Sequence, residues 1–245
     1  MNILILAAGD TRNGDAKAYP IWLEESDGLL MLERQAHALR LREEARFVYA
    51  FRSIDIANFH VDEIVKQIVP NVSVVEIRRD TSGAACTALL AIDQVEMDAE
   101  LIVTSATDFS AVDYDAVLSS FRKAGADVGV LSFESLHPRY SYLRLKDGHW
   151  VEEAAEKRPI SRHANAGFYW YARASDFFLS LQAMIAKDVH TDGVFYISPS
   201  LNELVLLGRK IMAWRLKGDE YRPLKDQRQV NTFNQTWDVQ DRNAT

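Results

Sequence analysis

Residues suited to phosphate chemistry fall in three loops, each just after an apolar run: 9–17, 79–83 and 104–108. In the first, the small residues Ala7, Ala8 and Gly9 let the backbone come close to a ligand, so that a run of free N–H groups can face an anion. Arg12 and Lys17 add positive charge in the same loop, although a strand-to-loop turn with solvated charges fits these residues too. In the second, Ser82, Gly83 and Ala84 are small residues where a loop turns into a helix. A flat base could lie against such a backbone, and close helix packing would use the same residues. In the third, Asp108 is the one carboxylate placed directly after a buried strand. A lone Asp there suits Mg²⁺, which keeps most of its waters and takes few protein oxygens; a cap for the next turn suits it as well.

Other groups carry weaker signals. Asp113-Tyr114-Asp115 has the Asp-x-Asp form used by metal-dependent glycosyltransferases, but its place at a helix start favours capping. Lys157 and Arg158 end the charged run 152–159 and could meet a second phosphate, whereas a bare charge run is usually a solvated face. His37 has apolar neighbours at helical spacing and reads as a packed histidine. The other histidines show no metal spacing, and Ser105 lacks the context of a hydrolase nucleophile.

The elements that must position these loops alternate. The run 2–8 is almost wholly apolar and reads as a strand buried on both faces. Further strands are expected at 47–51, 72–77 and 101–103, with helices at 29–41, 61–69, 84–92 and 114–124, the last capped by Asp113. Such alternation predicts βαβ units and a parallel sheet, whose ligands lie beyond the carboxyl ends of the strands. The pattern then changes to strands at 128–133, 141–145, 150–153 and 167–171, with a hairpin turn at 146–149. Helices at 175–186 and 198–207, a strand at 210–216 and a tail helix around 227–233 complete the expected elements. One domain over 1–245 follows, with a parallel α/β half to about 125 for one ligand and a mixed β half beyond it for another.

Composition narrows the function. With 28 basic against 35 acidic residues, a formal charge of −7 and no basic block, nucleic acid and membrane are poor partners. A single cysteine, Cys86, allows no internal disulfide and fits a reducing cytoplasm. The opening apolar run is too short for a membrane span and lacks a signal peptide's charged lead, so a cytoplasmic protein is expected.

Taken in order, Leu6-Ala7-Ala8-Gly9, Ser82-Gly83-Ala84-Ala85, the strand ending in Asp108, Glu156-Lys157-Arg158-Pro159 and Asn165-Ala166-Gly167-Phe168-Tyr169 resemble the sugar-phosphate nucleotidyltransferases, or nucleoside-diphosphosugar pyrophosphorylases. The resemblance covers nearly the whole chain. It is closest to a cytidylyltransferase-like subgroup found with bacterial capsule and surface-polysaccharide genes, which shares the blocks 83–90, 133–138, 155–161 and 192–196.

The resemblance implies an α/β fold: a Rossmann-like mixed, mainly parallel sheet flanked by helices, with a smaller mixed β acceptor region. It implies a Mg²⁺-dependent enzyme joining a nucleoside triphosphate, CTP as first choice, to a phosphorylated acceptor. By position, Leu6, Ala7, Ala8, Gly9, Ser82, Gly83 and Ala84 would meet the nucleotide. Arg12 would meet the triphosphate, Asp108 the Mg²⁺, and Glu156, Lys157, Asn165 and Gly167 the acceptor; a homo-oligomer is compatible with this reading. The chain departs from the family at two places. Its opening loop is one residue shorter and lacks a second glycine, and the family's α-phosphate lysine falls near Ile21. Lys17 would then stand in for that lysine, or catalysis is lost and a binding module remains. A second metal carboxylate matches only poorly, at Asp226.

Overall fold

A computed structural model describes residues 1–9, 19–26, 28–39 and 44–224. The apolar opening run forms β1 (Asn2–Leu6), buried along its whole length. Ile3 and Ile5 enter one hydrophobic cluster while Leu4 and Leu6 enter another on the opposite face. A strand covered on both faces has no wet side, which is why the run carries so little polarity. Its polar member, Asn2, is paired: its side chain donates to the Glu96 carbonyl at 3.1 Å and accepts from the Glu96 N–H at 3.2 Å.

A short hairpin, β2 (Glu25–Ser26) with β3 (Leu29–Leu30), leads into α1 (Met31–Ala38). The helix expected over 29–41 is thus shorter at its start, because Leu29 and Leu30 pair as strand. His37 is exposed beside Glu33 rather than packed, with 42% of its side-chain surface open to solvent. After β4 (Arg46–Arg52) comes α2 (Ser53–Phe59), a helix without a strong apolar period in the sequence. It is anchored by Asp55, buried and ion-paired to Arg52 at 3.2 Å. His60, with φ of 50°, turns the chain from α2 into α3 (Val61–Ile68).

The chain continues through β5 (Ser73–Ile77), α4 (Ala84–Leu89), β6 (Leu101–Ser105), β7 (Asp108–Ser110) and α5 (Tyr114–Lys123). The Asp113 carboxylate caps α5 as expected, accepting from the Ala116 N–H at 3.0 Å. The second half contains β8 (Val128–Glu134), β9 (Ser141–Lys146), β10 (Trp150–Glu156) and β11 (His163–Tyr171), then α6 (Ala174–Ala186), α7 (Leu201–Leu206), β12 (Ile211–Arg215) and β13 (Tyr221–Pro223). The turn between β9 and β10 is the expected one: Asp147 and Gly148 both take positive φ, 50° and 78°, which matches the twist of the strands they join. The tail helix expected around 227–233 lies outside the described residues.

The nine-stranded sheet has the order β5-β4-β1-β6-β11-β8-β12-β10-β9. Its first four strands are parallel, as expected for βαβ units. The sheet as a whole is mixed, as expected, but not mainly parallel. β11 enters antiparallel between β6 and β8, and the β9–β10 hairpin adds antiparallel partners beyond β12. β9 also pairs back onto β11 through Tyr142 and Ala164, so the last five strands close on themselves. Helices flank both faces. α1, α3 and α5 bury Leu32, Val65 and Phe121 on one side; α4, α6 and α7 bury Ala88, Phe177 and Leu204 on the other. Among the described residues no helix is long and apolar enough to cross a membrane.

Candidate functional site

The parallel strands β1, β4, β5 and β6 all end at one cavity of about 680 Å³, lined by Leu6, Arg52, Ile77 and Ser105 from those ends. This is where an open α/β sheet places its ligands. The opposite wall comes from β10 and β11 and carries Glu156, Asn165 and Gly167. Ala8, Gly9, Gly83, Ala84 and Asp108 also line it, so residues far apart in the sequence meet in one space. Ala7 does not. It is buried, and its N–H is taken by the Ala50 carbonyl at 3.0 Å. Ser82 is exposed and does not line the cavity; its carbonyl accepts from the Phe195 N–H at 2.7 Å. Arg12, Lys17 and Asp226 lie outside the described residues.

Asp108 is fixed from several directions. Its backbone pairs with Pro223 across the β7–β13 ladder. Its carbonyl accepts from Gln35 on α1 at 3.2 Å, and the same amide donates to the Ser105 carbonyl at 2.7 Å. Its Oδ1 accepts from the Tyr221 hydroxyl at 2.8 Å. Burial, and then the neighbouring Asp108 carboxylate, hold that hydroxyl protonated well above its usual range, so it acts as a donor. Gly167 completes the setting with φ of +76°, and a Cβ there would stand 2.7 Å from Asp108 Oδ2. The glycine is therefore room for the carboxylate. Gln35 and Tyr221 were missed in the sequence because they reach Asp108 from distant elements.

Gly83 is room of another kind. With φ of +123°, an added Cβ would stand 2.5 Å from the Phe195 carbonyl, so its missing side chain admits the chain at 194–195. Packing thus accounts for the glycine itself, while its backbone still borders the cavity. Ser105 has a local task, its Oγ lying 2.9 Å from the Thr107 hydroxyl and accepting from the Thr107 N–H at 3.2 Å. Asp113 and Asp115 lie away from the cavity wall, at the start of α5.

On the β10–β11 side, Asn165 Oδ1 accepts from the Gly167 N–H at 2.9 Å. Its Nδ2 is buried without a partner among the described residues. Lys157 stands outside the wall, its Nζ 5.0 Å from the ring centre of Tyr196, which does line it. The strand expected at 150–153 runs on to Glu156, because Glu153, Ala154, Ala155 and Glu156 pair with Arg144, Leu143, Tyr142 and Ser141 of β9. That strand delivers Glu156 to the cavity.

Burial pushes the Glu156 carboxyl from 4.5 up to about 7, with Lys157 opposing the shift. Between those values the folded protein keeps a proton that the unfolded chain has lost, so stability falls as pH rises and levels off above the upper one. Glu156→Gln should remove this slope, worth on the order of 3 kcal/mol. Urea midpoints measured from pH 4.5 to 8 check it, and parallel profiles for the two proteins would refute it.

Ile21, near which the motif resemblance would place a lysine, is buried with Trp22 and Leu23 in a short 3₁₀ turn and does not line the cavity. Ile21→Lys should cost on the order of 3 kcal/mol, since it buries an amine among apolar side chains. An unchanged melting temperature would contradict this.

No protein-family model matches the chain, and no curated protein matches it. Solved structures do. A nucleoside-diphosphate-sugar pyrophosphorylase from Vibrio cholerae RC9 aligns with a TM-score of 0.79 and 21% identity, covering 96% of this chain and 100% of that one. A UDP-glucose pyrophosphorylase complexed with UDP-glucose aligns at 0.73 and 15% identity, covering 96% and 97%. An inositol-1-phosphate CTP transferase from T. maritima aligns at 0.71 and 12% identity, covering 96% and 93%. At these identities the likeness concerns the fold, and the chain therefore has the fold of the sugar-phosphate nucleotidyltransferases that its motifs resemble.

Proposed function

We propose that the protein transfers a nucleotidyl group from a nucleoside triphosphate to a phosphorylated small molecule, releasing pyrophosphate. One observation carries the reading: Gly9, Gly83, Asp108, Glu156, Asn165 and Gly167, scattered along the chain, converge on a single cavity at the ends of the parallel strands. The fold shared with pyrophosphorylases and a CTP transferase supports the same class of reaction. CTP is our choice of nucleotide and a surface-polysaccharide precursor our choice of product, both on the motif resemblance.

In this reading Leu6, Ala8, Gly9, Gly83 and Ala84 border the nucleotide, and Arg12 and Lys17 neutralise its phosphates. Glu156, Asn165 and Gly167 line the acceptor pocket, with Lys157 at its rim. An oxygen of the acceptor phosphate attacks the α-phosphorus and pyrophosphate leaves. That chemistry needs two anions held in line and their charge neutralised more than it needs covalent help. Asp108 suits a hydrated Mg²⁺ because it is a carboxylate in the cavity wall, and that ion keeps most of its waters and takes few protein oxygens. Bound there, the ion would offset negative charge on the phosphates.

The test is pyrophosphate release, measured over the four common nucleoside triphosphates with Mg²⁺ and a panel of sugar and polyol phosphates. Release with at least one pair is expected. Nucleotide binding by calorimetry without any release would favour a second reading, a binding module that has lost catalysis. The observation behind that reading is Ile21, apolar and buried where the family has its lysine.

A further inference from the structure

Arg139 is a basic residue that the motif reading did not use. It lies in the loop between β8 and β9 and lines the cavity beside Tyr140, Ser141 and Glu156. The other cation in the wall among the described residues, Arg52, is committed to Asp55 at 3.2 Å. Arg139 faces no carboxylate among the described residues. Its partners belong to the next residue: the guanidinium donates to the Tyr140 hydroxyl and sits 4.7 Å from the centre of the Tyr140 ring. Tyr140 is itself braced. Its ring meets Phe133 edge-on at 4.9 Å and lies 6.2 Å from Tyr221, whose hydroxyl holds Asp108.

A guanidinium stacked on a braced aromatic ring keeps most of its N–H donors for a ligand and loses little freedom on binding one. Its planar fork suits two oxygens of a phosphate, which a lysine can meet only as a point charge. The wall also carries Asp80, Asp108 and Glu156, so a dianionic ligand needs a local cation to enter. Lys157 stands over Tyr196, outside the wall.

We propose that Arg139, mounted on Tyr140, is the receptor for the phosphomonoester of the acceptor. The inference rests on the reading of the cavity given above and assigns its acceptor half. The same chemistry would suit the tail of the nucleoside triphosphate, and the experiment separates the two sources.

Methyl phosphate and CTP are each titrated calorimetrically, at low fixed salt, into the full chain and its Arg139→Ala, Arg139→Lys and Lys157→Ala variants. Arg139 is exposed, so equal melting temperatures are expected across the set. Arg139→Ala should weaken methyl phosphate roughly tenfold or more, with partial recovery in Arg139→Lys and a smaller loss in Lys157→Ala. CTP affinity should change less than about twofold. Methyl phosphate binding that is absent in the wild type, unchanged in Arg139→Ala, or more sensitive to Lys157→Ala overturns the proposal. So does a CTP loss as large as the methyl phosphate loss, which would move Arg139 to the nucleotide. The wider reading fails separately. Arg139-dependent methyl phosphate binding with no pyrophosphate release from any pair removes nucleotidyl transfer and keeps the receptor. Release with an acceptor KM untouched by Arg139→Ala does the reverse.

Discussion

Asp108→Asn is expected to lower the rate of pyrophosphate release by a hundredfold or more while leaving the protein folded. The substitution is nearly isosteric. The amide oxygen can still accept from Tyr221, whose hydroxyl lies 2.8 Å from Oδ1. The clamp of Gln35 on the Asp108 carbonyl is untouched, because it is made to the backbone. Stability should therefore change by less than about 1 kcal/mol. What disappears is the charge at Oδ2, on the side facing Gly167. Removing one preorganised electrostatic group from such a site typically costs a hundredfold to a thousandfold. Initial rates over a Mg²⁺ titration, with a thermal melt as control, make the comparison. Near-normal Mg²⁺-dependent turnover in the variant would end the assignment of Asp108.

The difference between Asp108 and the groups that hold it shows what the sequence could disclose. Asp108 was legible because an isolated carboxylate after a buried strand is a local pattern. Tyr221 lies 113 residues away, in a three-residue strand too short to show any period. Gln35 sits on α1 among apolar residues, and its amide is useful only because the turn after β6 packs there. Arg139 looks like one more surface charge until the β8–β9 loop folds over the cavity.

The same contrast runs through the fold. The parallel half was readable because β1, β4 and β6 are buried on both faces and their runs are therefore continuous. The pairing of Tyr142 with Ala164, which closes the last five strands, depends on register between segments with no shared pattern. The expected strand at 150–153 stops short of the end of β10. In the structure β9 supplies backbone partners as far as Ser141, and the strand continues to Glu156.

Gly167→Ala should be nearly as damaging as the loss of the Asp108 charge, although alanine itself carries no chemistry. The position has φ of +76° inside β11, at the register shift between Asn165 and Tyr169. A side chain in that conformation costs about 1 kcal/mol or more. The larger effect is local. The new Cβ would meet Asp108 Oδ2 at 2.7 Å and Cγ at 3.0 Å, so the carboxylate must move. Tyr221 holds the other oxygen and the backbone is held by Gln35, which leaves few ways to yield without breaking a hydrogen bond. A displacement near 1 Å at a catalytic group can cost about a hundredfold in rate. If the glycine acts through Asp108, the two changes cannot add. Gly167→Ala placed on Asp108→Asn should lower the residual rate by less than about threefold, against roughly a hundredfold on the wild-type background. Independent, multiplying losses would instead assign Gly167 a contact of its own with the substrate. An active Gly167→Ala with normal Mg²⁺ dependence would show that Asp108 has freedom the hydrogen bonds around it do not suggest.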